Sequence, residues 1–232
     1  MRLNRQSAKN AKKRIYFFLG LLLLLCACDQ KSEKASPAIS AEPALKEEKL
    51  PKIVAFGNSL TAGLGLPLNQ SYPAILQELL QTDGYKYEVI NAGVSGDTTS
   101  GGVRRLEWSL EGDVRFLILE LGGNDILRGQ PVDLIKKNLA QMIETARSRG
   151  ITVLLAGMEA PTNAGPEYGQ EVHQAYVDLE KQHDVIFIPF VLKDLVGSEK
   201  LIQQDGTHPT AEGTRLIAKM VYERLKPLIS AN

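Results

Sequence analysis

From residue 51 onward, short apolar runs alternate with longer stretches whose apolar positions recur at helical spacing. The runs, rich in β-branched residues, fall at 53–56, 87–92, 116–121, 152–157 and 185–189. The helical stretches fall at about 72–81, 100–110, 131–149, 169–183 and 211–228. Continuous apolar runs of this length, separated by amphipathic helices, predict strands buried on both faces. The expected architecture is therefore α/β, a three-layer doubly wound sandwich around a parallel sheet.

Ahead of residue 51 the pattern changes. Residues 1–14 are basic and polar, 15–25 are almost wholly apolar, and Cys26-Ala27-Cys28 follows. This is the three-part layout of a secretory signal, and the apolar run is short for a membrane span. Its ending, Leu25-Cys26-Ala27-Cys28, resembles a bacterial lipobox, in which the final cysteine receives diacylglycerol. Residues 29–50 are Lys, Glu, Ser, Ala and Pro with few bulky apolar side chains, too few to offset the entropy of ordering. The reading is a lipoprotein signal peptide over 1–27, a lipidated flexible tether over 28–50 and a folded domain over 51–232. The protein is then exported and held on a membrane through Cys28, facing the periplasm or the cell surface. A plain cleaved signal or an uncleaved anchor is the alternative.

Charge narrows the partners. The 27 basic and 27 acidic residues balance, but the six basic residues before Cys28 come without an acid, so removing that segment leaves −6. A phosphate-backbone partner is not expected, and nucleic acid is excluded. The only cysteines are Cys26 and Cys28, which leaves the domain without a thiolate metal site or disulfide. His173, His183 and His208 lack metal-binding spacing, so neither a metal nor another cofactor is expected.

Four stretches carry candidate chemistry. In Gly57-Asn58-Ser59-Leu60, a serine follows the first strand where it would open a helix, close to backbone N–H groups. The G-x-S-x-G elbow is absent, with Thr61 in place of its second glycine, and no dinucleotide fingerprint follows. After the second strand comes the glycine-punctuated loop Asn91-Ala92-Gly93-Val94-Ser95-Gly96-Asp97-Thr98, leading into a helix expected from Thr98 or Thr99. After the third comes Glu120-Leu121-Gly122-Gly123-Asn124-Asp125, where Asn124 offers an amide donor. The last is Asp205-Gly206-Thr207-His208-Pro209, ahead of the final helix. His208 can shuttle a proton near neutral pH, and a helical turn would put Asp205 on its side to hold Nδ1. His173 and His183 share one amphipathic helix and show no acidic or serine partner at the rim, which reads as surface or packing.

In order, position and residue type these stretches resemble the SGNH (GDSL) hydrolase superfamily over 52–228. Within it they are most similar to the bacterial thioesterase I and lysophospholipase group, also described as arylesterases. The resemblance implies a flavodoxin-like sheet of five parallel strands. It also implies Ser59 as nucleophile, His208 as general base, Asp205 as its orienter, and an oxyanion hole of the Ser59 and Gly96 N–H groups with the Asn124 amide. The implied reaction is hydrolysis of carboxylic esters through an acyl-serine, on a small acyl-ester or lysophospholipid substrate. A carbohydrate O-deacetylase and a noncatalytic ligand-binding lipoprotein are the alternatives. One position departs from the family: Asn58 stands where Asp is usual, which implies an altered loop hydrogen bond or pH optimum. Loops 122–128 and 158–168 would flank the acyl side, offering Ile126, Leu127, Met158 and Tyr168 as apolar lining.

Overall fold

The computed structural model of the protein describes residues 49–229. The signal segment, Cys28 and nearly all of the tether read from the sequence lie outside the described residues.

Five strands form one parallel sheet: β1 (Lys52–Gly57), β2 (Glu88–Gly93), β3 (Val114–Glu120), β4 (Thr152–Ala156) and β5 (Ile186–Ile188). Their order is β2-β1-β3-β4-β5. Every pair is parallel. This is the flavodoxin-like order, whose direction reverses beside β1, so that a crevice opens at the carboxyl ends of β1 and β3. The expected alternation of strand and helix is thus observed. β1 and β3 are buried almost throughout because both have sheet neighbours and helical layers over them, whereas the edge strand β2 is only half-buried.

The helices are α1 (Ser59–Ala62), α2 (Tyr72–Thr82), α3 (Thr99–Ser109), α4 (Gly123–Leu127), α5 (Val132–Ser148), α6 (Pro166–His183) and α7 (Ala211–Leu225). α2 packs with α7, and α3, α5 and α6 pack in a row. On α5 the buried positions Ile135, Leu139, Met142, Ile143 and Ala146 follow the three-and-four spacing that makes one apolar face. Threonine side chains cap two helix starts: Thr98 accepts from Gly101 N–H at 3.2 Å, and Thr210 accepts from Gly213 N–H at 3.3 Å.

Two boundaries depart from the sequence reading for a physical reason. α6 starts three residues early, at Pro166, because proline is at home in a first helical turn, where no N–H is needed. α7 stops at Leu225 instead of 228, since Pro227 cannot donate to the helical ladder. α1 and α4 are too short to display any periodicity.

Candidate active site

The first strand delivers Ser59 to the crevice. Asn58 is the N-cap of α1, its Oδ1 accepting from Leu60 N–H at 2.9 Å. With the cap supplied by its neighbour, the Ser59 hydroxyl is free for another partner. It lies 2.8 Å from His208 Nε2 and a long 3.4 Å from Asn58 Oδ1. Ser59 is buried but not sealed, at 8% exposed. The turn needs glycine at 57: a Cβ there would stand 2.6 Å from Glu120 Oε2 and would also collide with Thr61 Oγ1.

His208 comes from the other end of the chain. Its Nδ1 is 2.6 Å from Asp205 Oδ2, while Asp205 Oδ1 accepts from Thr207 N–H and His208 N–H at 2.9 Å each. These bonds to the ionised form, that from the His208 backbone N–H first among them, hold the Asp205 carboxyl down at about 2. The side-chain alignment expected from a helical turn is achieved differently. Residues 205–208 are not helical; Gly206 takes φ +72°, and the two N–H bonds wrap the loop around the carboxylate. The loop is tied across the molecule: Gln203 Nε2 donates to Leu64 O at 2.9 Å, and Thr214 Oγ1 donates to Gln70 O at 2.8 Å.

The other candidate donors come from the strands flanking β1. The N–H groups of Ser59 and Gly96 have no protein acceptor among the described residues. Gly96 takes φ +81° in the loop after β2. Asn124, in α4 after β3, gives one Nδ2 hydrogen to Asp97 O at 2.9 Å, which fixes the amide and leaves its second hydrogen for a ligand. Arg105 of α3 joins these loops. Its guanidinium sits 3.8 Å over the Phe56 ring and donates to Asp97 Oδ2 (2.7 Å), Ala92 O (2.7 Å) and Gly57 O (2.9 Å). On the far side, Asp125 accepts from Thr99 N–H at 2.9 Å and from its hydroxyl at 2.7 Å, anchoring α4 to α3.

Sequence reasoning missed several supporting residues. Arg105 carried no signal, being one of two adjacent arginines on an amphipathic helix. Glu120 did carry one: an acid closing the apolar run Phe-Leu-Ile-Leu, in register with Gly57. Glu120 is 1% exposed and holds the turn that carries Ser59 from below, accepting from Asn58 Nδ2 (2.8 Å), Asn58 N–H (3.3 Å) and Thr61 Oγ1 (2.9 Å). Burial pushes its carboxyl up to about 7 against these hydrogen bonds. One reading is corrected. His173 has an acidic partner at the rim, Glu159 Oε1 after β4, at 2.8 Å from Nδ1. His173 is exposed and Glu159 half-buried, and the pair makes no hydrogen bond to the groups above.

Of the expected acyl lining, Ile126, Leu127 and Tyr168 border a cavity of about 410 Å³ together with Pro161. Met158 does not; it is buried, with its methyl against Gly123. Among the described residues, no cluster of three or more His, Cys, Asp or Glu side chains is placed to hold a metal ion, and no helix is long and apolar enough to cross a membrane.

A serine, an imidazole and a carboxylate in hydrogen-bonded series at the switch point of a β2-β1-β3-β4-β5 sheet define the SGNH class of ester hydrolases. The chain belongs to the GDSL-like Lipase/Acylhydrolase family, which matches residues 55–216. Among its relatives, Esterase TesA of Pseudomonas aeruginosa is 38% identical over 178 residues, covering 76% of this chain and 89% of that protein. Thioesterase 1/protease 1/lysophospholipase L1 of Escherichia coli is 31% identical over 179 residues, covering 77% and 85%. A crystal structure of TesA superposes with a TM-score of 0.74 at 38% identity, covering 77% of this chain and 99% of that one.

Proposed function

We propose that this protein is a serine esterase in which Ser59 is the nucleophile, His208 the general base and Asp205 its orienter. The observation that carries the reading is the continuous series from Ser59 Oγ through His208 Nε2 (2.8 Å) and Nδ1 to Asp205 Oδ2 (2.6 Å). Asp205, ionised across any working pH, keeps the proton on Nδ1 and so leaves Nε2 as the acceptor. Ser59 Oγ attacks the ester carbonyl carbon as its proton passes to Nε2. The N–H groups of Ser59 and Gly96 and the Asn124 amide receive the oxyanion. Nε2 then protonates the departing alcohol, and water, deprotonated in turn by His208, releases the acid and regenerates Ser59.

The substrate is a small acyl ester or a lysophospholipid. The cavity beside α4, lined by Ile126, Leu127 and Tyr168, supplies the apolar surface for an acyl chain. The lipobox-like ending at Cys28 supports export and attachment through a diacylated Cys28, where esters at a membrane face are available and a coenzyme A pool is not. Intact-mass analysis should find the mature chain beginning at a lipidated Cys28; an unmodified terminus elsewhere removes this part of the proposal.

A fluorophosphonate probe tests the hydrolase assignment. It should label the wild-type chain and fail to label Ser59→Ala, with His208→Ala labelled only slowly. A folded Ser59→Ala that keeps wild-type turnover of p-nitrophenyl esters would require another nucleophile.

A further inference from the structure

Glu120 takes no part in the hydrolysis described above, yet it is an acid sealed beneath the nucleophile. Register places it level with Gly57, and the absence of a side chain at 57 lets it reach the turn. Its two oxygens face three donors: Asn58 Nδ2 on Oε1, and Asn58 N–H and Thr61 Oγ1 on Oε2. The bond to Nδ2 determines which way the Asn58 amide points. Because Nδ2 faces Glu120, Oδ1 faces Leu60 N–H and the Ser59 hydroxyl. Resting on the esterase reading above, we propose that Glu120 is a positioning residue for Ser59, orienting the Asn58 cap as a carboxylate and loosening it when protonated, so that the acid side of the activity profile records a second proton beyond that on His208.

The network has a path to the protonated state. Thr61 Oγ1 lies 2.9 Å from Glu120 Oε2 and 3.3 Å from the Tyr72 hydroxyl, and in the second contact either oxygen can donate. With Glu120 ionised, Thr61 donates to it and Tyr72 donates to Thr61. With Glu120 protonated on Oε2, the carboxyl donates to Thr61, Thr61 donates to the Tyr72 oxygen as the Tyr72 hydrogen rotates out of that contact, and the Asn58 N–H loses its charged acceptor. The carboxyl is buried enough for this to occur near neutrality, at about 7.

The surroundings supply no compensating cation. Tyr72 of α2 and Tyr176 of α6 face the carboxylate, and burial together with the Glu120 charge pushes both phenols up, so they stay neutral. Arg105 of α3 is committed to Gly57 O, Ala92 O and Asp97. Asp125 of α4 is committed to Thr99, and Glu159 after β4 to His173. On the opposite side of the turn, His208 is held by Ser59 and Asp205.

The family's usual Asp at 58 gives the decisive comparison. In Asn58→Asp, two carboxyls would meet at the distance now spanned by a hydrogen bond and could not both ionise near neutrality. The pair would keep one proton well above pH 7 and lose the other well below it.

The test is kcat/KM for p-nitrophenyl acetate from pH 4.5 to 9.5 in wild type, Glu120→Gln and Asn58→Asp, with folding checked by circular dichroism and sites counted by phosphonate titration. Wild type should fall about 30- to 70-fold per pH unit at its steepest on the acid side, more than one proton allows. Glu120→Gln should fall only about tenfold per unit, from a plateau lowered about 10- to 100-fold in kcat with KM little changed. Asn58→Asp should also show the one-proton acid limb and gain an alkaline decline. A one-proton limb in wild type, or a two-proton limb in folded Glu120→Gln, overturns the proposal. If Glu120→Gln does not fold, Asn58→Asp decides: a profile superimposable on wild type overturns the proposal, and the changed limbs sustain it. Loss of phosphonate labelling in wild type would instead sink the esterase reading, whereas intact labelling with unchanged limbs sinks only the role of Glu120.

Discussion

Replacing Asp205 by asparagine should harm the enzyme more than replacing it by alanine, although asparagine preserves its shape. Asp205 Oδ1 already serves two backbone N–H groups, of Thr207 and His208, at 2.9 Å each. In Asp205→Asn the amide oxygen must stay on those donors, because turning the amide would set its hydrogens against both. The NH2 group is thereby forced toward His208 Nδ1, where the carboxylate now lies at 2.6 Å. A donor at that place demands an acceptor, so the imidazole proton moves to Nε2 and nothing remains to take the Ser59 proton. An enforced wrong tautomer costs about 10⁴ in rate, or ~5.5 kcal/mol. Asp205→Ala imposes no tautomer. The Asp205 side chain is 47% exposed, so water can accept from Nδ1 and from the two N–H groups. What is lost is one charge-assisted hydrogen bond, about 1.5–3 kcal/mol, or ~10- to 150-fold. The asparagine variant should therefore be about 10² or more below the alanine variant in kcat/KM for p-nitrophenyl acetate at pH 8, with active sites counted by phosphonate titration. An asparagine variant equal to or faster than the alanine variant would refute the assignment of Nδ1 as the donor to Asp205.

Three further outcomes are expected. Asn124→Ala should lower kcat about 10²- to 10³-fold with little change in KM, and a fall below threefold would remove its amide from the oxyanion site. Across acetyl to octanoyl p-nitrophenyl esters below their critical micelle concentrations, kcat/KM should rise up to about fourfold per methylene buried beside Ile126 and Leu127, a rise blunted by Ile126→Asn. A steady fall from acetyl onward would favour the deacetylase alternative. Stability should also depend on Glu120: its folded value of about 7 lies above the ordinary 4.5, so the unfolded chain releases the proton first and stability falls as pH rises between those values. Urea unfolding at pH 4.5 and 8 should show the wild-type advantage over Glu120→Gln shrinking by about 3 kcal/mol, and a constant difference would mean that Glu120 does not titrate in this window.

The strands and long helices were legible because burial on both faces leaves continuous apolar runs, and a helix covering a sheet leaves a periodic stripe. The candidate site was legible for a related reason: glycines and small polar residues mark where strands hand over to loops, and all four motifs lie at carboxyl ends of strands or in loops of that rim. Geometry inside a loop was less accessible. The alignment of Asp205 with His208 came from backbone N–H groups donating to a carboxylate, which residue spacing does not encode. Arg105 could not be distinguished from Arg104, since only the fold decides which of two neighbours lies over Phe56. Glu120 stood in plain view at the end of an apolar run, but its role depends on facing Asn58 across 62 positions of sequence.

The ties from Gln203 to Leu64 and from Thr214 to Gln70 span 139 and 144 positions, and Ser59 meets His208 across 149. In the proposed mechanism Ser59, just after the first strand, therefore has no base until nearly the whole chain has been made and the last loop has closed onto it. On that reading a growing chain is chemically silent, and so is one that has lost its C-terminal quarter. Turnover of a chromogenic ester consequently reports end-to-end completion of folding, and recovery of activity during refolding should follow the docking of α7 rather than the formation of the sheet around β1.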